Sequence, residues 1–149
     1  MATILTYEDF KELGFRLSVN IEKKQVDRII EDVESRLVKS NIDFYDSLTG
    51  EPDPAFDDAL LILKKGIANV CFGKLLTQTS NVTRTGAVKK VTDFSVRLQQ
   101  AEMVQESAEF FDTGTALIRE GLGELLKLDE TFSVKRLPYY NYFKGFFNR

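Results

Sequence analysis

Two pairs of acids are the residues best placed for metal chemistry. Glu51 and Asp53 flank a proline, and Asp57 and Asp58 follow shortly after them. Carboxylate oxygens are the ligands that Ca²⁺ and Mg²⁺ prefer. These acids lack the regular spacing of a calcium loop, and the dipole of a helix start favours acids without any metal. We therefore expect neither a metal site nor a cofactor.

Residues for nucleophilic catalysis are equally sparse. The chain has no histidine, so no Ser-His-Asp or Cys-His arrangement can form. The single cysteine, Cys71, lies in the most apolar stretch and is interpreted as a small buried hydrophobe. Gly66, Gly73 and Gly86 form no phosphate-binding loop. We predict that the protein is not an enzyme.

The C-terminal segment combines aromatic and basic residues. Residues 135–149 carry four bases and no acids, whereas the preceding residues carry a net charge of −7. Aromatic rings at a chain end are built to be buried, since ends are otherwise polar and frayed. The segment either docks on another molecule or folds back onto its own acidic body, and charge leaves both open. Its candidate partner-binding residues are Arg136, Tyr139, Tyr140, Tyr142, Phe143, Phe146 and Phe147.

The first half of the chain predicts two amphipathic helices. Thr6 is a candidate N-cap for a short helix that Gly14 ends. Asn20 is a candidate N-cap for a longer one. Apolar residues at helical spacing give this second helix one buried stripe, made of Val26, Ile29, Ile30, Val33 and Leu37.

The middle of the chain predicts a buried helix. Asp53-Pro54 is a strong helix start, with Asp as the cap and Pro at the first helical position. The stretch "AFDDALLILKKGIANVCFGKLLTQ" is apolar around most of its circumference, which indicates a central helix or one shared with neighbouring subunits. Gly66 and Gly73 share a face and predict the close approach of another helix.

Two further elements follow. Val82, Thr83, Val88 and Val91 favour strand, which predicts a β-hairpin at about 81–92. Helical periodicity returns from about Val96 to Leu128, and the segment "DTGTAL" is a candidate kink or break. The predicted fold is thus a mainly α, small helical bundle around a central apolar helix, with one short β-hairpin and an extended C-terminal tail. The domain is predicted to cover residues 1–134 and the tail residues 135–149.

This order of elements resembles the head–tail connector, or adaptor, proteins of tailed bacteriophages. It is similar in particular to those of Bacteroides-infecting and crAss-like phages. The stretches "ALLILKKGIANVCFGKLL" and "NVTRTGAVKK", with the helix after them, carry the resemblance, which covers roughly residues 3 to 130.

The resemblance implies a structural virion protein without catalytic residues. Such proteins assemble, typically as twelve copies, into a ring below the portal protein at the capsid–tail junction. The ring extends the channel for double-stranded DNA without reading its sequence, and a tail or further ring protein docks below. The C-terminal segment would dock on the portal, and assembly would take place in the host cytoplasm.

Two smaller sets of residues are given roles on this basis. The hairpin residues Arg84, Lys89 and Lys90 are predicted to contact neighbouring subunits. The long acidic helix would suit a channel wall, with Glu102, Glu106 and Glu109 facing the DNA, because like charge opposes adhesion.

Two other classes of protein remain open. One is a non-catalytic protein-binding module whose tail clamps a partner. The other is a nucleic-acid-binding accessory protein that uses the hairpin and the tail, in which aromatic rings could stack on bases. No run of about 18 apolar residues is present, so no membrane span is expected. A single cysteine also precludes an internal disulfide.

Overall fold

A computed structural model of the 149-residue chain describes residues 2–15, 21–85 and 93–135, with the backbone alone for 77–85 and 93–104. The described residues are mainly helical, as the sequence predicts. Five α-helices follow one another: α1 (Tyr7–Glu12), α2 (Lys23–Leu37), α3 (Tyr45–Leu48), α4 (Asp57–Thr85) and α5 (Asp93–Leu128). Short 3-10 turns at Lys39–Asn41 and Pro54–Phe56 precede α3 and α4.

The start of α1 confirms the predicted cap. The Thr6 hydroxyl accepts a hydrogen bond from the Asp9 amide at 3.1 Å, and the Asp9 carboxylate accepts one from the Thr6 amide. This reciprocal pair satisfies two amides that the helix leaves free. Gly14, just beyond α1, has a φ of 92°, a backbone conformation that favours glycine.

The predicted start of α2 is wrong by a few residues, but its buried stripe is confirmed. The helix begins at Lys23 after Glu22, whose side chain makes no capping hydrogen bond, and Asn20 lies outside the described residues. All five residues of the stripe are buried. Their burial against the rest of the core fixes the helix even without a side-chain cap, because tertiary packing supplies most helical stability in proteins.

Helix α4 is the central element of the fold. Asp53 accepts a hydrogen bond from the Ala55 amide at 2.9 Å and Pro54 opens the 3-10 turn, so the predicted start is confirmed. Helix α4 packs against α5 along one side and against α2 along another. Cys71 is fully buried, and burial raises the pKa of its thiol, which agrees with its interpretation as a core residue.

Glycines bring α4 and α5 into close antiparallel contact. A Cβ atom on Gly66 would lie 2.7 Å from the Ile118 amide nitrogen and 2.8 Å from the Gly114 carbonyl oxygen. Farther along α5, a Cβ on Gly121 would lie 2.9 Å from the Leu63 nitrogen. Real Cβ atoms do not tolerate such distances, so glycine is required wherever the two backbones meet.

The predicted break in the long helix is therefore wrong. Helix α5 continues from Asp93 to Leu128 through Gly114 and Gly121. Each glycine costs about 1 kcal/mol in helix propensity. The close backbone packing that Gly114 and Gly121 allow offsets this cost, so these residues act as contact points rather than as breaks.

The predicted β-hairpin is also wrong in the part that can be compared. Residues 81–85, including Arg84, continue α4, while residues 86–92, including Lys89 and Lys90, lie outside the described residues. β-Branched residues lower helix propensity only by tenths of a kcal/mol each. Extending an existing helix adds a hydrogen bond for every residue fixed, so α4 continues through Val82 and Thr83.

Among the helices described, none is both long and apolar enough to span a membrane.

Two glycine substitutions give opposite predictions for stability. Gly66→Ala forces α4 and α5 apart and is expected to reduce the free energy of unfolding by about 1–3 kcal/mol, as overpacking does. Gly123→Ala is the matched control, since a Cβ there meets no atom within 4 Å. In a helix this control is expected to gain about 0.5–1 kcal/mol. Urea denaturation followed by circular dichroism measures both, and equal effects would contradict the close contact.

Candidate docking site

The chain leaves the core at a fixed point, which we call the tail anchor and define as residues 41–44 and 129–135. Ile42 and Val134 form an antiparallel bridge. The Lys135 amide donates a hydrogen bond to the Asn41 carbonyl oxygen at 2.7 Å, and the Asp43 amide donates one to the Ser133 carbonyl oxygen at 3.3 Å. The aromatic tail therefore starts from a fixed backbone position.

An aromatic stack holds the anchor against the body. The Phe132 ring lies parallel to that of Phe44, with centroids 4.1 Å apart and planes 5° apart. It also contacts Phe56, immediately before α4, at 5.4 Å. Such pairs contribute about 0.5–1.5 kcal/mol beyond the area they bury.

Alternation of residue types accounts for the bridge between the two segments of the anchor. Ile42 and Phe44 are buried on either side of the exposed Asp43. Phe132 and Val134 are half-buried and alternate with the exposed Ser133. A period of two is the pattern of a strand with one buried face. The Asp43 carboxylate also accepts a hydrogen bond from the Ser133 amide at 2.9 Å, which fixes the register.

A polar turn joins α5 to the anchor. The Asp129 carboxylate accepts hydrogen bonds from the Thr131 amide at 2.9 Å and from its hydroxyl at 2.6 Å. These two donors lower the pKa of Asp129, because they favour the ionised carboxylate. The turn directs Phe132 back toward the body instead of letting α5 continue.

A buried carboxylate, Glu34, binds the segment next to residues 41–44 of the anchor. Glu34 is 1% exposed. Its two oxygens accept hydrogen bonds from the amides of Ile4 at 2.7 Å and Leu5 at 2.9 Å, and the Tyr45 hydroxyl donates a third at 2.5 Å. One side chain of α2 thus holds both the N-terminal segment and the start of α3, which directly follows residues 41–44.

Burial shifts the titration of this pair. Desolvation raises the pKa of Glu34, although the Tyr45 hydroxyl and the two amides oppose the shift. The pKa of Tyr45 is also raised, first by burial and then by its hydrogen bond to Glu34. Both directions agree with a protonated Tyr45 whose hydroxyl donates a hydrogen bond to the Glu34 side chain.

The sequence-predicted site residues fall into three groups. Residues 136–149, with all seven predicted docking residues, lie outside the described part of the chain, so their role stays a prediction. Arg84 is helical. Glu106 and Glu109 are exposed on α5, and Glu102 lies in the same helix. Within the described residues, no group of three or more acids and cysteines is arranged to hold a metal ion.

Sequence reasoning missed both Glu34 and Phe132. Glu34 lies between Val33 and Leu37, inside the apolar stripe of α2, and an acid on a buried face is a signal that could have been noted. Phe132 follows a helix end and a turn, and only the tertiary contact with Phe44 and Phe56 reveals its role.

Comparison with known proteins adds no family to these observations. No protein-family model matches the chain, and searches of curated proteins and of solved structures found no match.

Glu34→Gln tests the buried carboxylate. Glutamine offers one acceptor oxygen, and its amide group would face a backbone N–H, so we expect a loss of about 1–3 kcal/mol in the free energy of unfolding. The folded pKa of Glu34 is raised, so between the unfolded and folded pKa values the folded state binds more protons. The stability that Glu34 contributes is fully present below the unfolded pKa and is lost as pH rises through the folded pKa.

The difference in stability between wild type and Glu34→Gln is therefore expected to shrink as pH rises from acid to neutral. Urea denaturation across this range measures it. Glu31→Gln removes an exposed charge from the same helix and serves as the control. A difference that grows with pH would mean that the three hydrogen bonds outweigh desolvation.

Proposed function

We propose that the protein is a non-catalytic structural component of a phage virion, assembling into a ring below the portal protein and joining capsid to tail. The tail anchor is the observation that carries the proposal. The described body has a buried core whose residues run from Ile4 to Leu125, and the aromatic tail follows this core in the chain. The anchor presents the tail from a fixed position, as a segment meant for another subunit requires.

Burial of the aromatic rings would give tail docking a large gross gain in free energy. Each buried aromatic side chain removes about 150–250 Å² from water. At about 25 cal/mol per Å² this corresponds to a gross gain of about 4–6 kcal/mol for each ring. Ordering the tail offsets part of this gain. In a ring, which typically has twelve copies in the family that the chain resembles, the same contact repeats, and multivalency would strengthen the attachment.

The charges of α5 suit a channel wall in this proposal. Glu106 and Glu109 are exposed on a helix that carries more acids than bases between residues 102 and 130. Together with Glu102 they would face passing double-stranded DNA, which like charge prevents from adhering. The ring would hold no cofactor and would belong to the virion, after assembly in the host cytoplasm.

Deleting Leu137–Arg149 tests the proposal. We expect the truncated chain to keep its helical signal and a single cooperative unfolding transition, and to lose binding to the portal protein of the same phage. Analytical ultracentrifugation of each chain, alone and with the portal, measures binding. Unfolding of the truncated chain, or undiminished binding, would contradict the proposal.

Two full-length variants separate the contributions of the tail. One replaces Tyr139, Tyr140, Phe146 and Phe147 by alanine, and the other replaces Arg136, Lys144 and Arg149 by alanine. We expect the first to abolish portal binding at any salt concentration. The second should weaken it most at low salt, where exposed charges are least screened.

A further inference from the structure

The α4–α5 pair has an outer face that the described helices cover only in part. On α4, half-buried or exposed apolar residues follow helical spacing at Leu61, Ile62, Phe72 and Leu76. On α5, the corresponding residues are Phe110, Leu117 and Leu128. Leu61 and Leu128 are the most exposed large apolar residues described, at 46% and 51%.

Ring contacts place the two sets of residues side by side. Phe72 and Phe110 meet edge to face, with centroids 4.8 Å apart. Phe10 of α1 and Phe15 just after it pack on Phe72, with ring centroids 6.4 and 5.1 Å away, and Phe15 also lies 6.5 Å from Phe110. The part of the outer face that these rings leave open lies toward the start of α4 and the end of α5, at Leu61, Ile62, Leu117 and Leu128.

The charges on this face are mainly negative. Asp58, Glu106 and Glu120 are exposed along the two stripes, and Lys65 of α4 is an exposed base beside them. Glu124 is half-buried and pairs with Lys127 at 3.2 Å. Residues 136–149 carry three bases, six aromatic rings and no acids, so they complement both the charge and the apolar character of the face. A second copy of the same face would instead bring acids against acids.

The tail also starts at the correct end of the helix pair. Phe132 of the tail anchor contacts Phe56, which precedes α4, so the anchor lies near the start of α4 and the end of α5. From Leu61 to Leu76 the face is about 22 Å long, at 1.5 Å per helical residue. Residues 136–149 can extend over roughly 46 Å, which is enough to reach the face and run along it.

We propose that, in the free protein, residues 136–149 dock on the outer face of α4 and α5 of their own chain. The aromatic rings cover the apolar stripe, and the basic residues lie against the acids that border it. The inference goes beyond the proposed function and does not depend on it, because it concerns the chain by itself. If a portal subunit then takes the tail, the outer face becomes free for a neighbouring copy.

A spin label near the end of the full-length chain tests this. Asn148→Cys provides the attachment point, since Cys71 is fully buried with a raised thiol pKa and does not compete for the label. We expect paramagnetic loss of NMR signal at the amides of Leu61, Lys65 and Leu117, and none along the exposed side of α2. The loss should decrease as salt concentration rises.

Two charge-reversal variants are matched controls. Glu120→Lys reverses a charge on the outer face and should restore the lost signals, whereas Glu31→Lys makes the same change at an exposed position of α2 and should not.

Contact between copies is detected in a mixture of two samples, one isotope-labelled without the spin label and one spin-labelled without the isotope. Signal loss in this mixture, loss centred on α2, or no loss would each overturn the proposal. None of these results involves the portal, so the proposed function is tested separately.

Discussion

The close contact between α4 and α5 is the constraint on which the rest of the structure depends. Gly66 and Gly114 lie opposite each other, and the space between the backbones leaves no room for a Cβ atom on either. This contact aligns two long helices over many turns. Helix α2 packs against α4, and the 3-10 turn at Pro54–Phe56 contacts both long helices.

Two sets of hydrogen bonds secure flanking segments of the chain to this helical frame. Glu34 binds the amides of Ile4 and Leu5 and so fixes the N-terminal segment, while the bridge between Ile42 and Val134 fixes the residues after α5. A buried carboxylate is costly unless it is hydrogen-bonded. Here three donors offset part of that cost, while the raised pKa of Glu34 shows that desolvation is the larger effect.

The sequence predicts elements well where local chemistry and burial agree. Thr6, Asp53 and Pro54 mark helix starts by cap chemistry alone, and the stripe from Val26 to Leu37 follows from its period. Gly66 indicated a close helix approach correctly. For Gly114 the sequence shows a low helix propensity, which predicts a kink or break in α5. It does not show the α4 backbone at Gly66 that packs against this glycine.

The differences at the predicted hairpin and at the tail anchor also arise from tertiary contacts that no local pattern reveals. Val82 and Thr83 favour a strand by propensity, but a helix that is already anchored in the core continues through them. The tail anchor depends on pairing between residues 90 positions apart, Asp43 and Ser133, which no local pattern reveals. The aromatic and basic composition of the tail could be read directly from the sequence, whereas the fixed position from which it starts could not.

We propose that the described helical body folds independently and that the tail binds foreign subunits in an assembled particle. An electron cryomicroscopy structure of the chain bound to the portal protein, at side-chain resolution, tests it most directly. The account predicts that the rings from Tyr139 to Phe147 lie between portal subunits. Rings packed on their own protomer in that assembly, with no neighbouring subunit in contact, would contradict it.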